Sequence, residues 1–420
     1  MTNRTLSPTL ILSCFLASCL EIYDFVLFVF LGKILHNNYL GFLDNETATL
    51  IGYALFSIGF IFRPLGSLLF GYIGDVYGRK TALTLSIALM GSASLIMVIL
   101  PPYAVLGLGA CYIIVLVRII QGLSVGGEFS GAIIFAVEHS AANRVGLVAG
   151  IISAGGACGV LLAKLVTGFL LAPGMPEYSW RFAFLLGFSL SGVSYFIRRR
   201  LRETPIFNES KKFKFPILVG LKKCKIESFA ALFAAAANGA AFYFGSVYLT
   251  GFLTQIHPDM NFNFVSPLIS ITVALLLPIF GMLSDNFNRN IYLLVTSLIM
   301  AVIALIVPKL LVEASDIVSI WMLLLLYAMA AALTIGGINI FAVEIFPPAY
   351  RMSTSSLFYS LGMGLIGGTV PMVASLLRRW LGDNPLIIGG YISVICLLAA
   401  VGSILVHLKQ RKISLMLQNR

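Results

Sequence analysis

The sequence predicts an all-α membrane protein: twelve transmembrane helices in two six-helix, pseudo-symmetric bundles. Three observations predict it. The 420 residues are 59% hydrophobic and only 11% charged, too little charge to cover a soluble surface. Apolar runs long enough to cross a bilayer recur from end to end. A short polar segment between two such runs occurs twice, 210 residues apart, which is half the chain length. The runs are continuous rather than alternating, which favours helices over a membrane barrel.

In chain order, the first run, 9–32, carries Glu21 and Asp24. It has no clear small-residue cleavage site, so it reads as a span and not as a signal peptide. Run two, 47–70, holds Arg63. It leads into the first copy of the repeat, Gly71-Tyr-Ile-Gly-Asp75-Val-Tyr-Gly-Arg79-Lys80, and run three is 81–100. Run four, 107–137, holds Arg118, Gln121 and Glu128 and passes into Glu138, with Arg144 beyond. Run five, 146–171, contains Gly155, Gly159 and Lys164, and run six is 180–197. Run seven, 226–256, offers Asn238, Tyr243 and Tyr248. Run eight, 264–283, leads into the second copy, Gly281-Met-Leu-Ser-Asp285-Asn-Phe-Asn-Arg289-Asn290, and run nine is 291–308. Run ten, 317–341, contains Asn339 and leads to Glu344, with Arg351 beyond. Run eleven, 352–377, contains Gly364 and Gly368, and run twelve is 385–407.

The longest polar stretch separates six runs from six. The domains expected are a bundle over 1–197, a cytoplasmic basic linker over 198–225 and a bundle over 226–420. Two further repeats support the duplication. Phe-Ala-Val-Glu ends on Glu138 and again on Glu344, 206 residues apart. Gly155-x3-Gly159 matches Gly364-x3-Gly368 at an offset of 209, a spacing that lets helix backbones approach closely. Six spans per half make the halves parallel repeats about an axis along the membrane normal.

The net charge of +11 raises nucleic acid as a partner, but its distribution excludes it. With the N-terminus inside, the inner segments carry twenty Lys and Arg and the outer loops five. That bias places both termini in the cytoplasm, and the basic excess is topological. The six cysteines are scattered, so neither a metal site nor a disulfide framework is expected. No cofactor is expected.

Charge inside the hydrocarbon is costly and marks function. Six such residues stand out, all in the first half: Glu21, Asp24, Arg63, Arg118, Glu128 and Lys164. Glu21 and Asp24 are three apart, on neighbouring faces of one helix. A carboxylate in a cavity wall can take up and release a proton, and no histidine falls mid-membrane. Asp24, Glu21 and Glu128 are therefore the proton-coupling candidates, with a structural ion pair to Arg63 or Arg118 as the bland alternative. Arg118 and Gln121 share a face of run four, where the guanidinium suits a substrate carboxylate. Ten residues separate Arg118 from Glu128, about 15 Å along a helix, so they are not a direct pair. Lys164 is a second anion contact, a neutraliser of Glu128 or an outward-reaching side chain. Asn238 and Tyr243 complete the substrate wall from the second half.

The charges of the repeats form a candidate cytoplasmic gate: Asp75, Arg79, Lys80, Glu138 and Arg144 in one copy, and Asp285, Arg289, Glu344 and Arg351 in the other. Such a network can hold span ends together in one state and release them in another. Static salt bridges at a wet surface are the alternative. Asn290 stands where the first copy has Lys80, so the second gate is expected to be weaker.

The segments Leu20-Glu-Ile-Tyr-Asp24-Phe, Phe62-Arg-Pro-Leu-Gly66, Gly71-x3-Asp75-x3-Arg79-Lys80 and Arg118-Ile-Ile-Gln-Gly-Leu-Ser-Val-Gly-Gly-Glu128 resemble the major facilitator superfamily. The chain is more closely similar to its metabolite:proton symporter branch, which includes proline/betaine, α-ketoglutarate, citrate and shikimate transporters. The resemblance implies a non-enzymatic, proton-driven importer working by alternating access in a bacterial inner membrane. Its partners would be protons, the lipid bilayer and a small organic acid or zwitterion, and it would act as a monomer. It also implies coupling and binding roles for Asp24 and Arg118. Lys164 is not expected from the family pattern and tilts the reading toward an anionic substrate. The tail ends at Arg420, without the coiled coil that osmosensing betaine transporters can carry, which lowers the expectation of osmoregulation. Proton-antiport efflux is the rival within transport, but span five reads Ala154-Gly-Gly-Ala-Cys-Gly159 without the Gly-Pro pair of such pumps. A non-transporting sensor would need an output domain, and only the linker is left over.

Overall fold

The structure is a computed structural model that describes residues 7–40, 45–262, 264–382 and 384–418. The first half contributes α1 (Pro8–Phe30), α2 (Asn45–Val76), α3 (Arg79–Ile99), α4 (Leu108–His139), α5 (Val145–Leu170) and α6 (Trp180–Arg200). The second contributes α7 (Lys225–Ile256), α8 (Val265–Asp285), α9 (Arg289–Glu313), α10 (Ile317–Glu344), α11 (Pro348–Leu381) and α12 (Pro385–Gln418). Among the described residues, eleven of these are long and apolar enough to cross a membrane. The 32-residue α2 is the other member of the twelve.

The packing repeats with a shift of six. In the first half α1 packs on α5, α2 on α4 and α3 on α6; in the second α7 packs on α11, α8 on α10 and α9 on α12. The halves meet through α5 against α8 and α2 against α11. The repeated glycines explain those crossings. A Cβ on Gly71 would lie 2.6 Å from the Ser353 Cα of α11, and one on Gly281 would strike the Gly146 carbonyl of α5. Both are places where one half's backbone runs directly against the other's, as small residues allow.

Three sequence expectations need correcting. First, the repeat is not a ten-residue turn. Helix α2 runs on through Asp75, so the turn is Tyr77–Gly78, with Gly78 at φ +124°, a conformation that favours glycine. Copy two uses a different device, in which the Asn288 side chain accepts from the backbone N–H groups of Asn290 and Ile291. Second, the glycine pairs are not equivalent. Gly155 and Gly159 seat α5 on α1, but Gly362 and Gly367 seat α11 on α7, while Gly364 and Gly368 face Phe60 and Arg63 of the other half. A π-helical stretch over Ser360–Gly367 changes the phase of α11 and rotates its glycines to new faces. Third, Arg198 is not a solvated linker residue. Helix α6 extends to Arg200, and Arg198 is buried.

The linker is also less free than its charge suggested. It folds into short helices at Pro205–Glu209 and Pro216–Lys223. Thr204 donates to Glu138 at 2.6 Å, and the Arg79 guanidinium lies 5.4 Å from the centre of the Phe207 ring. Burial, with Arg79 nearby, pulls the Lys212 ammonium below its ordinary pKa.

Candidate substrate and proton site

The gate charges assemble at the end of the bundle that carries the repeat turns. In copy one, Asp75 accepts from Arg79 at 2.7 Å and from backbone N–H groups where the α-helical part of α11 begins at Arg351, Met352 at 3.1 Å and Ser353 at 2.8 Å. A carboxylate at a helix N-terminus is stabilised by the unpaired amides and the helix dipole. Arg79 also donates to the Pro348 carbonyl across the halves. Glu138 receives Arg79 at 3.4 Å and Arg351 at 3.1 Å. Lys80 lies outside this knot, bonding Arg199 and Glu203.

Copy two repeats half of the pattern. Asp285 accepts from Gly146 and Leu147, the first turn of α5, at 2.7 and 3.0 Å, and from Arg289 at 2.7 Å. Arg289 reaches Glu344 at 2.9 Å, but that carboxylate is 37% exposed, whereas Asp75, Arg79 and Glu138 are at 0%. Arg144, expected in the gate, is exposed and makes no ion pair among the described residues. Its counterpart Arg351 carries the cross-half bond instead. The Lys80 counterpart Asn290 is buried against Gln410.

The candidates inside the membrane divide into separate environments. Glu21 pairs with Arg63 at 3.3 Å, both buried. Of the mid-membrane arginines Arg63 and Arg118, Arg63 is the one that meets the other half at Gly364. Its Cδ lies against Gly364 of α11, it stands beside Tyr243 and Tyr359, and its Nε has no hydrogen-bond partner. Around it the rings form a box. Phe60 meets Tyr243 edge-on at 6.0 Å, and Phe129 stacks on Tyr359 at 5.2 Å. Asn238 donates to Asn339 at 2.9 Å and to Tyr359 at 3.2 Å, and Asn339 donates to Ser153 at 2.7 Å. The carboxylate, guanidinium, amides, hydroxyls and aromatic faces therefore converge between the two halves.

Other candidates lie elsewhere. Asp24 is fully buried inside the first bundle, accepting from Ser94 at 2.8 Å, with no cation in ion-pair contact among the described residues. Glu128 pairs with Arg198 at 2.5 Å and hydrogen-bonds Ser86, so Lys164 is not its neutraliser. Lys164 is half-buried. Arg118 bonds Gln121 at 2.9 Å and the Leu55 carbonyl at 2.9 Å, and lies over the rings of Phe25 and Phe28. It ties α4 to α1 and α2. Sequence reasoning named Arg63 as a possible ion-pair partner of the acids, which it is for Glu21, but gave it no substrate role, and it missed Tyr359, Ser153 and Arg198. The Phe62-Arg63-Pro64 triplet was the available signal for the first.

An asparagine at position 24 keeps the Ser94 contact and removes a carboxyl buried without a cation. Asp24→Asn is therefore expected to melt no lower than the parent protein in a thermal-shift measurement.

Beyond the box, between the α7 and α11 ends opposite the gate, a cavity of about 580 Å³ opens against Tyr248, Phe252, Gln255, Arg378 and Arg379. The network of gate candidates thus lies at one end and this basic cavity, lined by the second half, at the other.

Two pseudo-symmetric six-helix bundles tied together at one end, with a polar cluster between them, define a multi-pass membrane transporter. The chain belongs to the Major Facilitator Superfamily, whose model matches residues 9–371. It is 28% identical to a putative proline/betaine transporter of Staphylococcus aureus over 94% of this chain and 86% of that one. It is 27% identical to the inner membrane metabolite transport protein YhjE of Escherichia coli, over 96% and 94%. Among solved structures it is similar to the proton:xylose symporter XylE bound to 6-bromo-6-deoxy-D-glucose, at TM-score 0.74 and 16% identity over 94% of each chain. The human organic anion transporter MFSD10 is similar at TM-score 0.68 and 16% identity, over 94% of this chain and all of that one.

Proposed function

We propose that this chain is a proton symporter that imports a small carboxylate-bearing zwitterion of the proline or betaine type by alternating access. One observation carries the reading: Arg63 is held by Glu21 on one side and faces the Tyr243–Tyr359–Phe60–Phe129 box on the other. A guanidinium binds a carboxylate through a planar fork. Aromatic faces bind a quaternary or secondary ammonium. Together they match a molecule with one carboxylate and one ammonium. A tricarboxylate would call for further cations beside Arg63.

Coupling follows from sharing. Glu21 and a substrate carboxylate compete for Arg63. A proton on Glu21 releases Arg63 to the substrate, and departure of the substrate returns Arg63 to Glu21 and expels the proton. Asp24 is a second buried acid on the same helical turn. The gate end is cytoplasmic, as are both termini, and the membrane is a bacterial inner membrane. The closed network at that end then belongs to the state that receives substrate from outside. The protein acts as a monomer.

A thermal-shift screen over amino acids, betaines and carboxylic acids, followed by uptake of the hits into proteoliposomes, tests the substrate class. Proline or betaine types should stabilise the protein and accumulate when the outside is acidified. Stabilisation by tricarboxylates alone would contradict the reading.

A further inference from the structure

Between α1, α3, α4 and α6 lies a small chamber of about 10 Å³, whose polar lining is Glu21, Ser86, Ser124, Glu128 and Ser191 and whose apolar lining is Ala17, Leu20, Ile87 and Met90. That volume is about one water probe sphere. Three buried polar atoms at this chamber have no hydrogen-bond partner, Glu21 Oε2, Ser124 Oγ and Ser191 Oγ, and a fourth lining atom, Glu128 Oε1, is held on one side by Arg198 at 2.5 Å. Buried polar groups are rarely left so, and each calls for an explanation.

We infer that this chamber is a site for one water molecule that relays protons between Glu21 and Glu128. The inference rests on the proton-symport reading and gives it a route. The hydrogen-bond inventory closes. Water donates twice, to Glu21 Oε2 and to the lone pair of Glu128 Oε1 that Arg198 leaves open, and accepts twice, from the Ser124 and Ser191 hydroxyls. A neutral ligand fits the charges better than a cation. Glu21 already faces Arg63, and Glu128 already faces Arg198, so a sodium ion would leave the cluster net positive. Cys14 is the further titratable group beside Glu128 and Arg198.

The step balances. The O–H bond at Glu21 Oε2 breaks as its proton joins the water oxygen. An O–H bond of the water breaks as its proton joins Glu128 Oε1. Water is regenerated, Glu21 becomes a carboxylate free to pair with Arg63, and Glu128 becomes neutral beside Arg198. Helix α6 carries Arg198 at the gate end, so the proton moves from the substrate site toward the gate as Arg63 is released.

The test uses the full chain in proteoliposomes with proline or betaine. It compares the parent with Ser124→Ala/Ser191→Ala and with Glu128→Gln, following substrate counterflow and entry of protons by a trapped pH dye. The expected result is counterflow near the parent rate with substrate-linked proton entry slowed about tenfold in the serine variant, and a raised solvent isotope effect. Glu128→Gln should lose proton entry and keep counterflow. Parent-rate proton entry in the serine variant overturns the relay. Should either variant fold poorly, a high-resolution map of the parent decides: density bridging Glu21 and Glu128 supports the relay, and a dry chamber overturns it. Proton-independent accumulation by the parent itself defeats the symport reading instead, so the two failures are distinguishable.

Discussion

Asp75→Asn is expected to open the gate. Asp75 caps α11 through Met352 and Ser353 and holds Arg79, all of it out of water. The two amide bonds cross from one half to the other, so they exist only while the gate is closed. Hydrogen bonds to a buried charge contribute about 1.5–3 kcal/mol each, and an amide oxygen recovers only part of that. The closed population should fall about tenfold or more relative to the open one. Ser356 is buried against Ser130 across the same seam, at 2.7 Å. A Ser356→Cys reporter should therefore be alkylated about tenfold faster when Asp75→Asn is added. Unchanged protection would mean that the network is static. The corresponding change at Asp285 should have a smaller effect, because Arg289 and Glu344 remain partly in water.

Arg63→Ala should abolish transport by removing the group that holds the substrate carboxylate. A charge-assisted fork is worth about 3 kcal/mol, which places binding about a hundredfold weaker. Accumulation and counterflow should fall together, because the loss is in binding. Arg63→Lys should restore part of the counterflow, since it keeps the charge and loses the fork. Arg118→Lys should weaken counterflow less than Arg63→Ala, because Arg118 braces α4 against α1 and α2 and lysine keeps its charge.

The fold was legible because membrane physics is simple to read. Twelve runs, a charge bias and a repeat offset by half the chain left one architecture. The site was legible in composition but not in pairing. That Glu21, Asp24, Arg63 and Glu128 are buried charges follows from their runs. Which acid takes which arginine depends on helix rotation and on a partner from another span, and Arg198 had been hidden in the basic run that opens the linker. The duplicated motif predicted two similar gates, yet Gly78 against Asn288 and buried Glu138 against exposed Glu344 make them unequal. A π-helical stretch in α11 has no reliable sequence signature, and it alone moves Gly364 from its own bundle to the side of Arg63.

The central claim is that Glu21 and the substrate take turns on Arg63. The most direct measurement is Glu21→Gln in proteoliposomes, comparing proton-driven accumulation with substrate counterflow. A permanently neutral side chain leaves Arg63 to the substrate. The account predicts that accumulation against a gradient is lost while counterflow persists at or above the parent rate. Full proton-driven accumulation by Glu21→Gln would contradict it.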